Sequence, residues 1–192
     1  MGDPMTITLN GTTGITTPAL DSVAPFSSAD MPAGSVLQVV STTKTDTTSF
    51  ASVTTDTYVD ISGMSVTIIP TAASSKILVM YTANVSNSTA ATVHVRLLRN
   101  STSIGQGVAD VGRLGDSTIL RNNATPYAYE IGSLSNSFLD SPNTTSATTY
   151  KLAGTLGASY NGTFYLNRSQ SDADANYAGR TASTITVMEI AG

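Results

Sequence analysis

The sequence predicts an all-β protein, an antiparallel two-sheet sandwich or jelly roll, and three observations lead there. From Gly34 onward the chain is a succession of short runs in which apolar and polar residues alternate, the period of half-buried strands. Turn residues punctuate these runs at short intervals, as sandwiches and jelly rolls require. The polar complement is Thr, Ser and Asn: charged residues make up only 11% of the chain, with two glutamates (Glu130, Glu189) and three lysines (Lys44, Lys76, Lys151). Helix surfaces are normally coated with Glu, Lys, Arg and Gln, whereas β-branched Thr suits the solvent face of a strand.

Residues 1–34 stand apart. Ile7 and Leu9 form one short alternating run, NGTTG (10–14) reads as a turn, and Pro18, Pro25 and Pro32 interrupt both helix and ladder pairing. The segment reads as an extended arm that orders against a partner, through Thr6, Ile7, Leu9, Ile15 and Pro18, or as a plain chain end. Residues 35–192 read as one domain, long enough to bury a core without staples.

The runs begin with VLQVV (36–40). TYVDI (57–61) and MSVTII (64–69) follow, separated by Ser62-Gly63, and then KILVMYTANV (76–85) after Pro70. TVHVRLLR (92–99) and 102–108 flank Asn100. The later runs are 117–121, 127–134, 147–156, 163–168 and 184–190, set off by Asn122-Asn123, Pro142-Asn143 and Asn161-Gly162. The stretches 105–126 and 134–146, rich in Gly, Asn, Ser and Thr, read as loops, where binding usually sits. No stretch keeps helical spacing for three turns.

Composition also excludes functions. A net charge of −4 with scattered basic residues argues against nucleic-acid binding and against attraction to anionic membranes. No run reaches the ~18 apolar residues of a membrane-spanning helix. The N-terminal MGDPM lacks the basic and apolar regions of a signal peptide, so export by the secretory route is not expected. Without cysteine there is neither disulfide nor thiolate site.

Catalysis has little to work with, and no enzyme or cofactor is expected. His94 is the sole histidine, and alternation places it beside Arg96, opposite Val93, Val95 and Leu97. A Ser–His–Asp triad would need it, but no Gly-x-Ser-x-Gly elbow accompanies it, and a sheet-surface or symmetry-axis histidine is the simpler reading. Asp110, Asp116, Asp140, Asp172 and Asp174 offer carboxylates, yet no spacing singles out a glycosidase pair. SDADAN (171–176) opens like a calcium loop, with Asp172, Asp174 and Asn176 at alternate positions. Tyr177 and Ser183 stand where the loop needs glycine and glutamate, so a solvated turn is favoured over a metal site.

GTTGITTPAL (11–20) is similar to a segment common near the N-terminus of phage tail-fibre and virion structural proteins. The segments 31–47, 57–86, 95–107 and 179–192 resemble blocks of fibre-like proteins of tailed phages, cyanophages among them. A more distant resemblance is to the C1q/tumour-necrosis-factor jelly roll, with LLRNSTSIG (97–105) at the position of its Leu-x-x-Asn-Gly hairpin and Ser101 where glycine is usual. These resemblances imply a homotrimer, synthesis in a host cytoplasm and residence in a virion. They also imply docking of the arm on another virion protein and contact between the head and host-surface polysaccharide. A capsid decoration or head-fibre protein without receptor binding is the alternative. Sugar contact directs attention to Tyr127 and Tyr129, which alternation puts on one face, either as a binding shelf or as packing between subunits. Arg113, Asn122 and Asn143 are the loop candidates.

Overall fold

The alternation in the sequence becomes an alternation of faces in space. The structure is a computed structural model describing residues 8–10, 14–16, 30–52, 57–121, 128–157 and 161–192. It comprises two units, 1–31 and 32–192. In the first, β1 (Thr8–Asn10) pairs antiparallel with β2 (Gly14–Thr16), with Leu9 opposite Ile15. Thr6, Ile7 and Pro18 lie outside the described residues.

The second unit joins its sheet almost at once: the Gly34 amide donates to the Ala191 carbonyl, and the Ala191 amide to that of Ser35, each at 2.8 Å. Its strands are β3 (Val36–Lys44), β4 (Thr48–Ser52), β5 (Val59–Ile68), β6 (Lys76–Asn87), β7 (Thr92–Arg99), β8 (Thr102–Ile104), β9 (Thr118–Arg121), β10 (Gly132–Asp140), β11 (Thr148–Leu156), β12 (Gly162–Leu166) and β13 (Ser183–Ile190). Three pairs of these run end to end as interrupted strands. β13 and β12 pair in turn with β3 and β4, and both lie along β6. β8 and β9 pair in turn with the two ends of β7.

The first sheet therefore runs β3/β4, β13/β12, β6, β10, and the second β5, β11, β7, β8/β9. Nested outward from the β7–β8/β9 hairpin come the pairs β6–β10, β5–β11 and β3/β4–β13/β12. That nesting is the two-sheet jelly roll predicted from the sequence. The last strand closes beside the first, and Asn100 takes the left-handed turn (φ 54°) of the β7–β8 hairpin, so glycine is not needed at Ser101.

The core lies between the sheets, built from alternate residues of facing strands: Ile77, Val79, Tyr81 and Val85 meet Val93, Val95, Leu97, Leu152 and Ile61. Phe164 stacks on Phe50 at 4.7 Å and fills the end of the sandwich. Gly154 leaves room for that ring, since a Cβ there would sit 2.9 Å from it.

Two turn assignments do not hold. Ser62-Gly63 is a bulge inside the single strand β5, where Gly63 takes φ +80° and the aliphatic part of Lys44 lies across it. The stretch 134–146 is largely strand β10: Ser133, Ser135 and Ser137 face outward while Leu134 and Phe138 face the core, so its loop-like composition records a Ser-coated face. The run 102–108 is likewise shorter, ending as strand at Ile104.

Glu189 is fully shielded between β3 and the 69–75 turn. Its Oε1 accepts from the Thr71 amide and hydroxyl, both at 2.7 Å, and Gln38 Nε2 donates to Oε2 at 2.5 Å. Burial works to raise this carboxyl, but the hydrogen bonds from Gln38 and Thr71 outweigh it and hold the group below its ordinary value. A lowered folded-state value means that Glu189 contributes stability above the unfolded carboxyl's titration range and loses it as pH falls through the folded value. Urea midpoints measured between pH 7 and pH 3 are thus expected to fall less steeply in acid for Glu189→Gln than for the unaltered chain. Parallel curves would remove Glu189 from the acid response.

Candidate functional site

Two interrupted strands throw out excursions, 105–117 between β8 and β9 and 167–182 between β12 and β13, and the polar side chains gather there.

Under the first excursion, His94 and Arg96 project from the outer face of β7, as alternation requires. His94 Nδ1 lies 2.8 Å from Asp116 Oδ2, and the Tyr58 hydroxyl donates to Asp116 Oδ1. The Arg96 guanidinium lies 3.8 Å over the Tyr58 ring and donates through Nε to the Gly115 carbonyl at 2.8 Å. Asp116 keeps only 5% of its side-chain exposure, so the cluster pins the excursion onto the sheet. An open cleft of about 780 Å³ lies alongside, lined by Thr92, His94, Arg113, Asp116 and Thr118 among others.

This is the histidine–carboxylate half of a triad. His94 Nε2 makes no hydrogen bond to a described residue, and none of the described hydrogen bonds joins a serine or threonine hydroxyl to it. What the arrangement does is anchor a loop. The sequence offered His94 and Asp116 separately; their pairing depends on the excursion folding back over β7, which spacing alone does not reveal.

The second excursion holds Asp172, whose Oδ1 lies 2.6 Å from Arg180 Nη2 and whose Oδ2 lies 3.3 Å from Arg168 Nη1. Arg168 also lies 4.5 Å over the Tyr165 ring. Asp172 therefore bridges two guanidiniums, while Asp174 and Asn176 sit exposed on the following turn. Among the described residues no group of three or more His, Cys, Asp or Glu side chains is arranged to hold a metal. A shallow cleft of about 470 Å³ runs along Asp172, Asp174, Asn176 and Arg180. The Ser171 amide donates to the Ala128 carbonyl at 2.8 Å, tying the excursion to the segment that carries Tyr129. Tyr129 meets Tyr177 edge to face at 4.8 Å, both rings largely exposed.

The remaining predicted positions are dispersed. Tyr127 and Asn122 lie outside the described residues. Arg113 pairs with Asp110 at 3.0 Å on an exposed turn at the rim of the larger cleft. Asn143, with φ 52°, serves the turn between β10 and β11. Tyr177, which the sequence places near a loop, becomes a partner of Tyr129 only through the fold.

No protein-family profile matches the sequence, and no curated protein matches it. Among solved structures, the fold is similar to chains in the structure of infectious bursal disease virus Gt strain (13% identity, TM-score 0.43) and of its Gx strain (12%, 0.43). A third likeness is to the T=1 particles derived from infectious bursal virus (14%, 0.41). All three cover 100% of this chain, which spans only 44%, 42% and 42% of theirs.

Proposed function

We propose that this chain is a structural protein of a tailed-phage virion, the trimeric head of a short fibre that meets the host surface. The resemblance of 11–20, 31–47, 57–86 and 179–192 to fibre-like phage proteins supports the setting. The observation that carries the trimer is the outer face of the first sheet. Val39, Met188, Leu78 and Leu139 are successive cross-strand partners, so they form one apolar row across all four strands. Val36, Ile190 and Met80 flank the row, and Lys76 is the only charged side chain that β3, β13, β6 and β10 turn outward. Beyond it the face is hydroxyl-coated, with Ser41 bonded to Thr186 and Thr82 to Ser135. Depletion of charge around an apolar centre characterises the buried part of subunit interfaces.

Three copies meeting through the apolar end of this face leave the second sheet and the 105–117 excursion turned outward, while the 167–182 excursion rises over its Asn84–Ser86 end. Residues 1–34 then dock on another virion protein, with the β1–β2 pair offering an edge for strand addition. Weak contacts to surface polysaccharide are multiplied by three heads per fibre.

Light scattering after size exclusion is expected to give three chain masses for the unaltered protein and one for Leu78→Lys or Met188→Lys, with a cooperative melt retained. A monomeric parent chain, or variants that remain trimeric, would sink this assignment of the face. Cryo-electron microscopy of the particle tests the location: copies at the tail in multiples of three fit a fibre, and copies spread over the shell make the chain a decoration protein.

A further inference from the structure

We infer that the Tyr129–Tyr177 pair and the adjoining turn of the 167–182 excursion form a subsite for a neutral hexose-based glycan. The inference rests on the attachment reading and gives it a site and a ligand class. Two phenol rings in edge-to-face contact, 44% and 59% exposed, are held together by chain segments far apart in sequence. A tyrosine pair supplies rigid amphipathic contact area at low entropic cost, the property that makes this residue prevalent in binding loops. The edge-to-face angle of 73° leaves ring surface open for the C–H face of a sugar.

Polar groups that answer sugar hydroxyls flank the rings. Asp174 and Asn176 are exposed and make no hydrogen bond among the described residues, so an acceptor and an amide of both characters stand free beside Tyr177. Arg180, 54% exposed, reaches Asp172 through Nη2 and retains further donors. The Asp172 bridge fixes the guanidinium, and the cleft of about 470 Å³ along these residues has room for a monosaccharide. Asp172 and Asp174 balance Arg168 and Arg180, so the turn carries no net charge to draw an anionic sugar, and the glycan is neutral.

The test is binding of the full-length protein to an array of neutral oligosaccharides and of uronic- or sialic-acid-bearing ones, followed by saturation-transfer NMR on the best ligand. Expected are millimolar binding to neutral hexoses, transfer to sugar C–H protons, and at least a tenfold loss in Tyr177→Ala and in Tyr129→Ala. Both rings are exposed, so melting of these variants should be unchanged. Failure to bind any neutral glycan, preference for the acidic ones, or binding that survives both substitutions overturns the inference. The attachment reading fails separately: copies found over the shell end it whatever the array shows, and a tail location with an inert array leaves it standing while removing this subsite.

Discussion

Replacing Asp140 by alanine lowers stability by about 3 kcal/mol, the low end of the cost of breaking a buried ion pair from one side. Asp140 is the last residue of β10, and its carboxylate receives Arg99 Nη1 at 2.9 and 3.0 Å and the Tyr150 hydroxyl at 2.7 Å. Arg99 and Tyr150 belong to the second sheet and Asp140 to the first, so this carboxylate ties the two layers together. Tyr150 is completely buried; burial first, and then the neighbouring Asp140, push its phenol far above its ordinary value, so it stays a neutral donor. Without Asp140 that donor has no partner and no access to water, whereas Arg99, 29% exposed, can turn outward. This asymmetry sets the low end of the range. Tyr150→Phe removes only one hydrogen bond to a charged acceptor and should cost about 1.5 kcal/mol. Urea midpoints at one protein concentration measure both. A loss below about 1 kcal/mol for Asp140→Ala would show that water replaces the carboxylate and that the layers do not depend on it.

These ties explain what could and could not be read from the chain. The period-2 runs specified strand faces well: Ile77, Val79 and Tyr81 face inward and Leu78 and Met80 outward, as the alternation demands. Periodicity fails where the backbone changes phase. At Ser62-Gly63 a bulge resembles a turn because both need a positive φ. In β10 a face of serines resembles a loop because composition is blind to register. The candidate site was legible only in parts. Tyr129 and the Asp172–Asn176 segment could each be picked out, but about forty intervening residues hide their proximity, and Asp172 had no visible claim on Arg168 and Arg180. The apolar row across the first sheet was hidden for the same reason: Val39, Leu78, Leu139 and Met188 are one feature only once the strand order is known.

The interrupted strand opposite β3/β4 is where the fold most depends on one side chain, and Asn167→Ala is expected to cost about 3 kcal/mol. Asn167 follows β12, takes φ 61°, and is fully buried. Its Nδ2 donates to the carbonyls of Lys44 and Asp46 at 2.8 and 3.0 Å, covering the break between β3 and β4. Its Oδ1 accepts from Ser183 Oγ at 2.6 Å, and that oxygen accepts from the Asn84 amide on β6. One amide thus satisfies two carbonyls that leave the ladder and fixes the point from which the 167–182 excursion departs. Alanine abandons those groups in a dry interior and adds a left-handed conformation that asparagine tolerates better, worth about 1 kcal/mol of the total. Asn167→Gly relieves that strain but not the lost hydrogen bonds, so it should be the milder variant by about that amount. Hydrogen exchange at the amides of Asn84, Asn167 and Ser183 is expected to quicken in both. If alanine and glycine prove equally costly, backbone strain contributes nothing at this position; if both are silent, the excursion is held by its arginine–aspartate bridge instead.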